Sequence, residues 1–544
     1  MSAASSPPNA TAPGLGYAEP EERFDEAVQP DDNGSLLDRI VAAPRGVTER
    51  ADRESGLAIA LLARFTEAAT DREAAVAWFG PGVLSWTLAD FEMALARDIA
   101  RIEALVARQV NAVLHQPAFQ TLEASWRSVK RTVDPIPPPP EATLDGEPVV
   151  KVQLLDIAKE ELARSFSRVT AIEQSLLYRR VYENGLVMAG AEPFGLLIGD
   201  YEFSHANADL RLLEKLAAIG EMSFAPFVAA ASPELLGLER FAGLDRHRDL
   251  AVTFAQPEYA RWRSFAASDK ARFVGLVGPR VLGRTPYDDD GSTDFGFRFA
   301  EQTDGAIREG QFDLSGYLWA NPAYALAEVA IRSFRQSGWF GDLRGRRDSG
   351  LGGGTVDSLP DAVFRSEAGT LARRPSTEIA IGRHWEESFA RHGLTPLVDL
   401  QDAGGAVFPS TPSLHHPNGT SYSTESARRN AALSGSLQHV LCASRFAHYL
   451  QSIARNKIGS VSSKEELSSE LNGRWLSQYV SDSDLSGAIA ARMPLSEGRV
   501  VVETVPGESG LYRLLIYLKP QYQLDALDVS LRFSGTLPTG SDVR

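Results

Sequence analysis

Few residues in this chain are of a type and spacing that could do covalent chemistry. Asp200 ends the apolar run Phe194-Gly195-Leu196-Leu197-Ile198 within Pro193 to Ser204 (PFGLLIGDYEFS). A carboxylate at the end of a buried strand can act as a general acid or base. The plainer role, capping the next segment or accepting a turn hydrogen bond, is the preferred reading of Asp200. The nine histidines do not form a metal-binding pattern. There is no His-Glu-x-x-His, and His415-His416 stand in a Pro-rich loop with no acidic residue close in sequence. His439 and His448 flank Cys442, yet a helix places residues that far apart on roughly opposite faces. Cys442, the single cysteine, lies between Leu441 and Ala443 and reads as a core residue.

Glycine and acidic motifs fare no better. Gly350 to Gly354 is not followed by Lys-Ser or Lys-Thr, so it is no phosphate-binding P-loop. Gly352-Gly353-Gly354-Thr355 as an oxyanion or phosphate nest is the minor reading beside a flexible loop. Asp288-Asp289-Asp290-Gly291 has Thr293 and Phe299 where a calcium loop needs Gly and Glu, and reads as a solvated acidic loop. The Gly-x-Ser-x-Gly elbow of hydrolases is absent. No catalytic, cofactor-binding or metal-binding residue is therefore expected, and no cofactor.

The elements around these residues set the fold class. Phe194–Ile198 and Phe224–Ala230 read as buried strands, with a helix from about Asn207 to Ser223 between them, the usual sign of parallel pairing. A third strand is expected at Phe273–Val277 and a short one at Ile379-Ala380-Ile381, while Pro279-Arg280 and Pro286-Tyr287 are turn signals on either side of Val281-Leu282. Upstream, Leu88, Phe91, Leu95, Ile99, Ile102, Val106, Val110 and Val113 draw one apolar stripe on a long helix that Thr87 and Asp90 would cap. That stripe needs a partner, in the same chain or in a second subunit. Pro117 to Asp134 is another helix, with Phe119, Leu122, Trp126 and Val129 on one side, and Trp126 and Trp262 are expected to be buried anchors. A long helix is expected from near Asp156 to Tyr182, and others over Tyr317–Phe334, Trp385–Arg391, Ala427–Asn456 and Leu467–Tyr479. Val500–Val505 and Leu511–Leu518 look like a hairpin, and Leu527, Val529, Leu531 and Phe533 alternate as a half-exposed strand.

Composition bounds the function. The chain has 544 residues and a formal net charge of −16, which argues against a general binder of nucleic acid or of acidic membranes. No run approaches the ~18 apolar residues of a membrane span, and the N-terminus lacks a signal-peptide pattern. A cytoplasmic location is the expectation. Residues 1 to about 35 are Ala/Ser/Pro-rich and then acidic, and Leu36-Leu37-Asp38-Arg39-Ile40-Val41 is a short apolar patch suited to docking on a neighbour.

Blocks spread along nearly the whole chain resemble one family. They include Phe119–Arg127 (FQTLEASWR), Gln174–Tyr178, Pro193–Phe203, Tyr259–Phe265, Pro279–Leu282, Trp319–Tyr324, Pro375–Ile381, Arg445–Leu450 and Gln521–Leu524, in family order. The chain resembles the large sheath subunit of the bacterial type VI secretion system, the TssC/VipB/EvpB family. The resemblance implies a mixed α/β fold: an N-terminal helical region, a mixed sheet flanked by helices, and a β-rich C-terminal end. It implies a leader and docking segment over 1–54, helices over 55–140, a sheath-wall region over 141–400, and C-terminal helices with a hairpin over 401–544. The implied role is structural, in a contractile sheath and not in an enzyme. The implied partners are a small sheath subunit (TssB/VipA-like), further copies of the chain, inner-tube hexamers (Hcp-like), a baseplate and an AAA+ disassembly ATPase (ClpV-like).

Overall fold

The computed structural model describes residues 59–60, 62–136, 149–188, 190–244, 249–288, 297, 299–303, 307–308, 311–312, 316–346, 353–365, 371–400, 404–416, 434–457, 464–481, 493–504, 512–520 and 531–537. The leader, the Leu36–Val41 patch, Pro137–Pro140, Asp289–Asp294, Gly350–Gly352, Ala427–Asn430, the Pro506–Gly510 turn and Leu527–Ser530 lie outside the described residues. The chain divides into two compact units, residues 1–110 with 294–299, and residues 111–293 with 300–544.

In the first unit, α1 (Asp71–Phe79) starts at Thr70, whose hydroxyl accepts from the Glu73 amide at 3.2 Å. Helix α2 (Leu88–Leu114) starts with the expected cap, made reciprocal: Asp90 N donates to Thr87 Oγ1 and Thr87 N to Asp90 Oδ2, each at 3.2 Å. Phe79 sits against Trp86 and Phe91, ring centroids 5.4 and 5.7 Å away. Beside these rings the buried carboxylate of Asp98 accepts from Trp78 Nε1 at 3.0 Å.

The second unit opens with α3 (Pro117–Val133), capped by the Gln116 side chain. Helix α4 (Lys159–Ser167) is shorter than its periodicity suggests. The stripe continues, but Val169-Thr170 favours extended backbone and Ser175 accepts from the Tyr178 amide, capping a fresh helical stretch that runs to Val187. β1 (Leu197–Phe203), α5 (Asn207–Ser223), β2 (Phe227–Ala231) and β3 (Val274–Gly278) follow; α5 and β3 keep their expected bounds to within a residue, β2 starts three residues later than expected, and β1 starts three residues after Phe194 and runs on through Gly199-Asp200, where the apolar run ends. β4 (Val281–Leu282) and β5 (Trp319–Ala320) pair antiparallel, and α6 (Ala323–Ser337), α7 (Arg383–Arg391) and β6 (Leu394–Pro396) complete the middle of the chain. Ile379–Ile381 is not a strand; the residues before it are the ones that pair, with Leu282 N donating to Ser376 O and Glu378 N to Arg280 O, both at 2.8 Å.

The main sheet has the order β1-β2-β3-β6 and is parallel throughout. Both faces are covered, as a parallel sheet requires. Phe227, Ala229, Val274 and Leu276 point into a core with Leu213, Leu216, Tyr259 and Trp262, while Val228 and Val277 point to the opposite face with Leu326 and Val329 of α6. Where the β1–β2 register slips between Ile198 and Glu202, Asn321 takes the place of a strand partner. Its amide donates to the carbonyls of Gly199 (3.1 Å) and Tyr201 (3.3 Å), and its oxygen accepts from Ala323 N to start α6.

Helix α8 (Leu437–Lys457) is shared between two cores. Leu437 and Leu441 join the α6 side of the sheet. Val440, Phe446 and Leu450 join Leu514, Ile516 and Leu518 of the C-terminal sheet. That sheet is β7 (Leu495–Thr504), β8 (Tyr512–Pro520) and β9 (Leu531–Leu537), antiparallel in that order. The expected hairpin is present, closed by the Thr504–Tyr512 pair. The side-chain amide of Asn472 pairs with both the N–H and the carbonyl of Val500 (2.7 Å each) on β7.

Candidate functional site

Asp200 is a structural tie. It is exposed on β1 and accepts from Ser125 of α3 (2.5 Å) and from Tyr324 of α6. Burial, then the Asp200 charge, holds the Tyr324 phenol in its protonated form, above the usual tyrosine range. Neither a cap nor a turn bond, Asp200 joins two helices to the sheet.

Three of the candidate histidines, His415, His439 and His448, are buried, while His416 is exposed. His448 is fully buried with Nε2 2.8 Å from the Ser223 carbonyl, and burial lowers its pKa to about 4. His439 is buried nearby in sequence, and burial with the Arg272 charge lowers it to about 3. Cys442 is buried between them on α8. His415 Nδ1 donates to Ser268 O (3.0 Å), and burial again lowers its pKa. Among the described residues no group of three or more His, Cys, Asp or Glu could hold a metal, and no helix is long and apolar enough to cross a membrane. The nest is the minor reading of the glycine run, and its described amides are committed within the fold: Gly353 N donates to Asp342 Oδ2 (3.0 Å) and Gly354 N to Gly345 O (2.8 Å).

The unexpected feature is α3. Its polar face points inward. Glu123 accepts from Arg127 Nε (2.7 Å) and Arg284 Nε (2.8 Å), and Arg284 also reaches both oxygens of Glu301. Arg284 and Glu301 are only 7% and 2% exposed. Glu301 further accepts from the Tyr287 amide (3.1 Å) and lies 3.2 Å from His115 Nε2, while Arg284 stacks on the Tyr287 ring at 4.3 Å. Burial raises the Glu123 carboxyl, but the two guanidiniums outweigh it and hold the group below the usual range. Two turns on, Arg131 pairs with Glu328 of α6 at 2.5 Å. The residues of α3 that are fully buried are Ala124, Ser128 and Thr132, one helical turn apart.

The apolar face points outward. Phe119, Leu122, Trp126 and Val133 are all exposed, Trp126 to 60%, so it is not the buried anchor its type suggests; Trp262, at 3%, is. Helix α2 does likewise. Asp98 and Asn111 are buried, while Leu88, Met93, Leu95, Ile99, Val106 and Val113 are exposed. Two consecutive helices thus present large apolar residues to solvent, far more than scattered surface hydrophobes. Sequence periodicity found the stripes but not their direction. The signal that fixes it is the small-residue ridge Ala124, Ser128, Thr132, which lets α3 approach its support closely and leaves the bulky side for something else.

Two family descriptions match the chain: the EvpB/VC_A0108 tail sheath N-terminal domain over residues 96–415, and the EvpB/VC_A0108 tail sheath gpW/gp25-like domain over residues 426–537. A Pseudomonas aeruginosa protein named type VI secretion system sheath protein TssC1 is 36% identical over 449 residues, covering 82% of this chain and 86% of that protein. A solved sheath tail protein from Desulfitobacterium hafniense is 11% identical over 60% of each chain with a TM-score of 0.24, a likeness too slight to carry an argument. The chain belongs to the VipB/EvpB family of type VI secretion tail sheath proteins.

Proposed function

We propose that this chain is the large subunit of a contractile sheath that pairs with a small sheath subunit and polymerises in the cytoplasm around an inner tube of stacked hexamers. Assembled on a baseplate, the sheath contracts to drive the tube outward for effector delivery, and an AAA+ ATPase dismantles it afterwards. The carried-over division is a leader and docking segment (1–54), a helical region (55–140), a wall region (141–400) and a wall-completing C-terminal region (401–544). No side chain is assigned catalytic, cofactor-binding or metal-binding work.

The observation that supports this reading best is the pair of outward apolar stripes on α2 and α3. A chain designed to stand alone would turn these faces inward; a subunit keeps them for its partner. The stripes are long: at 1.5 Å per residue, the 27 residues of α2 span roughly 40 Å. A surface of that shape suits helices of another chain. The test is electron microscopy of the chain expressed alone and together with the small sheath subunit encoded beside it. Hollow tubes on co-expression are expected. Discrete particles in both samples would overturn the reading.

A further inference from the structure

Residues 411–416 form a strap that ties the start of α8 to the parallel sheet. At its first end the Thr411 carbonyl accepts from Leu437 N (2.7 Å), and Ser413 gives its amide (2.9 Å) and its hydroxyl (2.5 Å) to the Gly435 carbonyl. In the middle the Pro412 carbonyl accepts from Thr395 Oγ1 of β6 (2.9 Å). Leu414 N donates to Val274 O at the start of β3 (2.8 Å), and the Leu414 side chain lies in the sheet core. At its last end His416 N donates to Ala266 O (2.7 Å) and His415 Nδ1 to Ser268 O (3.0 Å), where the helix Ala260–Ala266 ends.

The bond to Ser268 fixes the chemistry of the His415 ring. A carbonyl only accepts, so Nδ1 carries the proton and Nε2 of the neutral ring is a bare acceptor. The side chain is buried, and Nε2 has no hydrogen-bonding partner among the described residues. A second proton would create an unpaired N–H and a buried charge there, each of them costly. The surrounding charges oppose it as well. Arg272 acts on the ring while its guanidinium donates to Ser434 Oγ (2.9 Å) beside α8; His416 adjoins it, with His392 beyond. Of the groups acting on His415 only Asp269 is acidic, and it is 85% exposed and paired with Arg272 at 3.4 Å.

We propose that residues 411–416 are an acid-released strap: neutral His415 seats it, and proton uptake by that side chain lifts it from Ala266–Ser268 and loosens the start of α8 from the sheet. Burial, then the Arg272 charge, lowers the pKa of the seated ring, whereas the ring of a lifted strap titrates near pH ~6.5. The strap is therefore fully held above that pH and is released progressively as the pH falls below it. For one histidine that refuses the proton while seated, the lifted fraction grows by about tenfold from pH 7.5 to 5.5. His439 and His448 carry the same sign of dependence, but both are buried on α8 and meet water only when α8 itself unpacks.

Amide hydrogen exchange of the full-length chain, read by mass spectrometry at those two pH values and corrected for the intrinsic pH dependence, tests this. The strap amides are expected to exchange ahead of those of β2 at both values, and about tenfold faster at the lower one. His415→Asn keeps a donor near the Nδ1 position and cannot titrate, so its strap exchange should agree between the two values to within about twofold. Acceleration that persists in His415→Asn assigns the effect to another group and overturns the inference. So does a wild-type strap whose exchange ignores pH or only matches that of β2. If asparagine does not seat the strap even at the higher pH, exchange of the His415 ring C2 proton in the wild-type chain decides, because it titrates with the imidazole. A half-point well below pH ~6.5 upholds the strap, and one at or above it overturns the inference.

Discussion

The parallel sheet and helix α3 follow opposite rules within one compact unit. In the sheet, Phe227, Val228, Leu276 and Val277 go inward on both faces, and at the β1 bulge Asn321 satisfies the carbonyls that lack a strand partner. On α3 Glu123, Arg127 and Arg131 go inward, to Arg284, Tyr287 and Glu328, and Phe119, Leu122 and Trp126 go outward. The difference separates what holds the subunit together from what it holds ready. Apolar burial stabilises the wall, at about 25 cal/mol per Å² removed from water. The α3 attachment is specified by geometry: fork-shaped guanidinium contacts and a ridge of small residues fix its register, whereas its large apolar area is kept for assembly.

The sharpest way to break this comparison is at its apolar end. Trp262 is buried against Phe254 with ring centroids 6.4 Å apart and near-parallel planes. Trp262→Ala is expected to cost about 3–5 kcal/mol of stability, read as a lowered denaturation midpoint or as loss of soluble protein. A midpoint unchanged within error would mean that the sheet core does not depend on that ring, and the contrast with α3 would lose its stable half.

The polar end is tested at Arg284. Arg284→Met keeps the length of the stem but leaves Glu123 and Glu301 buried without their shared cation. Removing one partner of a buried ion pair costs about 3–5 kcal/mol, but here Glu123 keeps Arg127 and Glu301 keeps His115, so a loss toward or below the lower end is expected. The loss should be local. Amides of α3 exchange faster, while those of β2 and β3 hold. If the sheet amides loosened equally, α3 would be part of the cooperative wall core and not an element attached to it. The triple variant Arg284→Met, Glu123→Gln, Glu301→Gln should recover part of the loss, because no uncompensated charge remains.

How much of this was legible in the sequence depends on whether a pattern has one meaning or two. The strand–helix–strand run from Leu197 to Ala231 has one: short continuous apolar strands around an amphipathic helix are the usual sign of buried parallel pairing, and the structure places them so. The Thr87–Asp90 cap and the C-terminal hairpin were equally direct. The stripe Phe119, Leu122, Trp126 has two meanings, since amphipathy separates two faces without saying which one meets the chain's own core. The helix from Asp156 to Tyr182 failed differently. Its apolar period runs through residues 168–175, but Ser175 and the β-branched pair before it interrupt the hydrogen bonding that the period assumes. Ile379–Ile381 looked like a strand by composition, yet pairing was decided three residues earlier, where Ser376 and Glu378 meet the backbone of Arg280–Leu282. The inward role of Arg284 and Glu301 was illegible for a further reason: they lie over 160 positions from Glu123 and His115 respectively, and no local pattern marks a pair that only the fold brings together.

The smallest expected effect on stability is at Trp126, and its smallness is what makes it informative. A large aromatic side chain on an amphipathic helix invites the assumption of burial, but Trp126 is 60% exposed, so truncation removes few contacts within the subunit. Trp126→Ala is expected to leave the denaturation midpoint of the isolated chain within the ±0.5 kcal/mol typical of surface substitutions. The same substitution takes a largely exposed aromatic anchor away from a face proposed to be covered in the heterodimer, where such residues dominate binding and truncation costs about 2 kcal/mol or more. Co-purification with the small sheath subunit should therefore fall by at least about tenfold at unchanged stability. Loss of stability equal to that of Trp262→Ala would show that Trp126 is covered by this chain's own residues. Unchanged stability with unchanged co-purification would place the partner elsewhere, and the outward stripe of α3 would then need a different occupant.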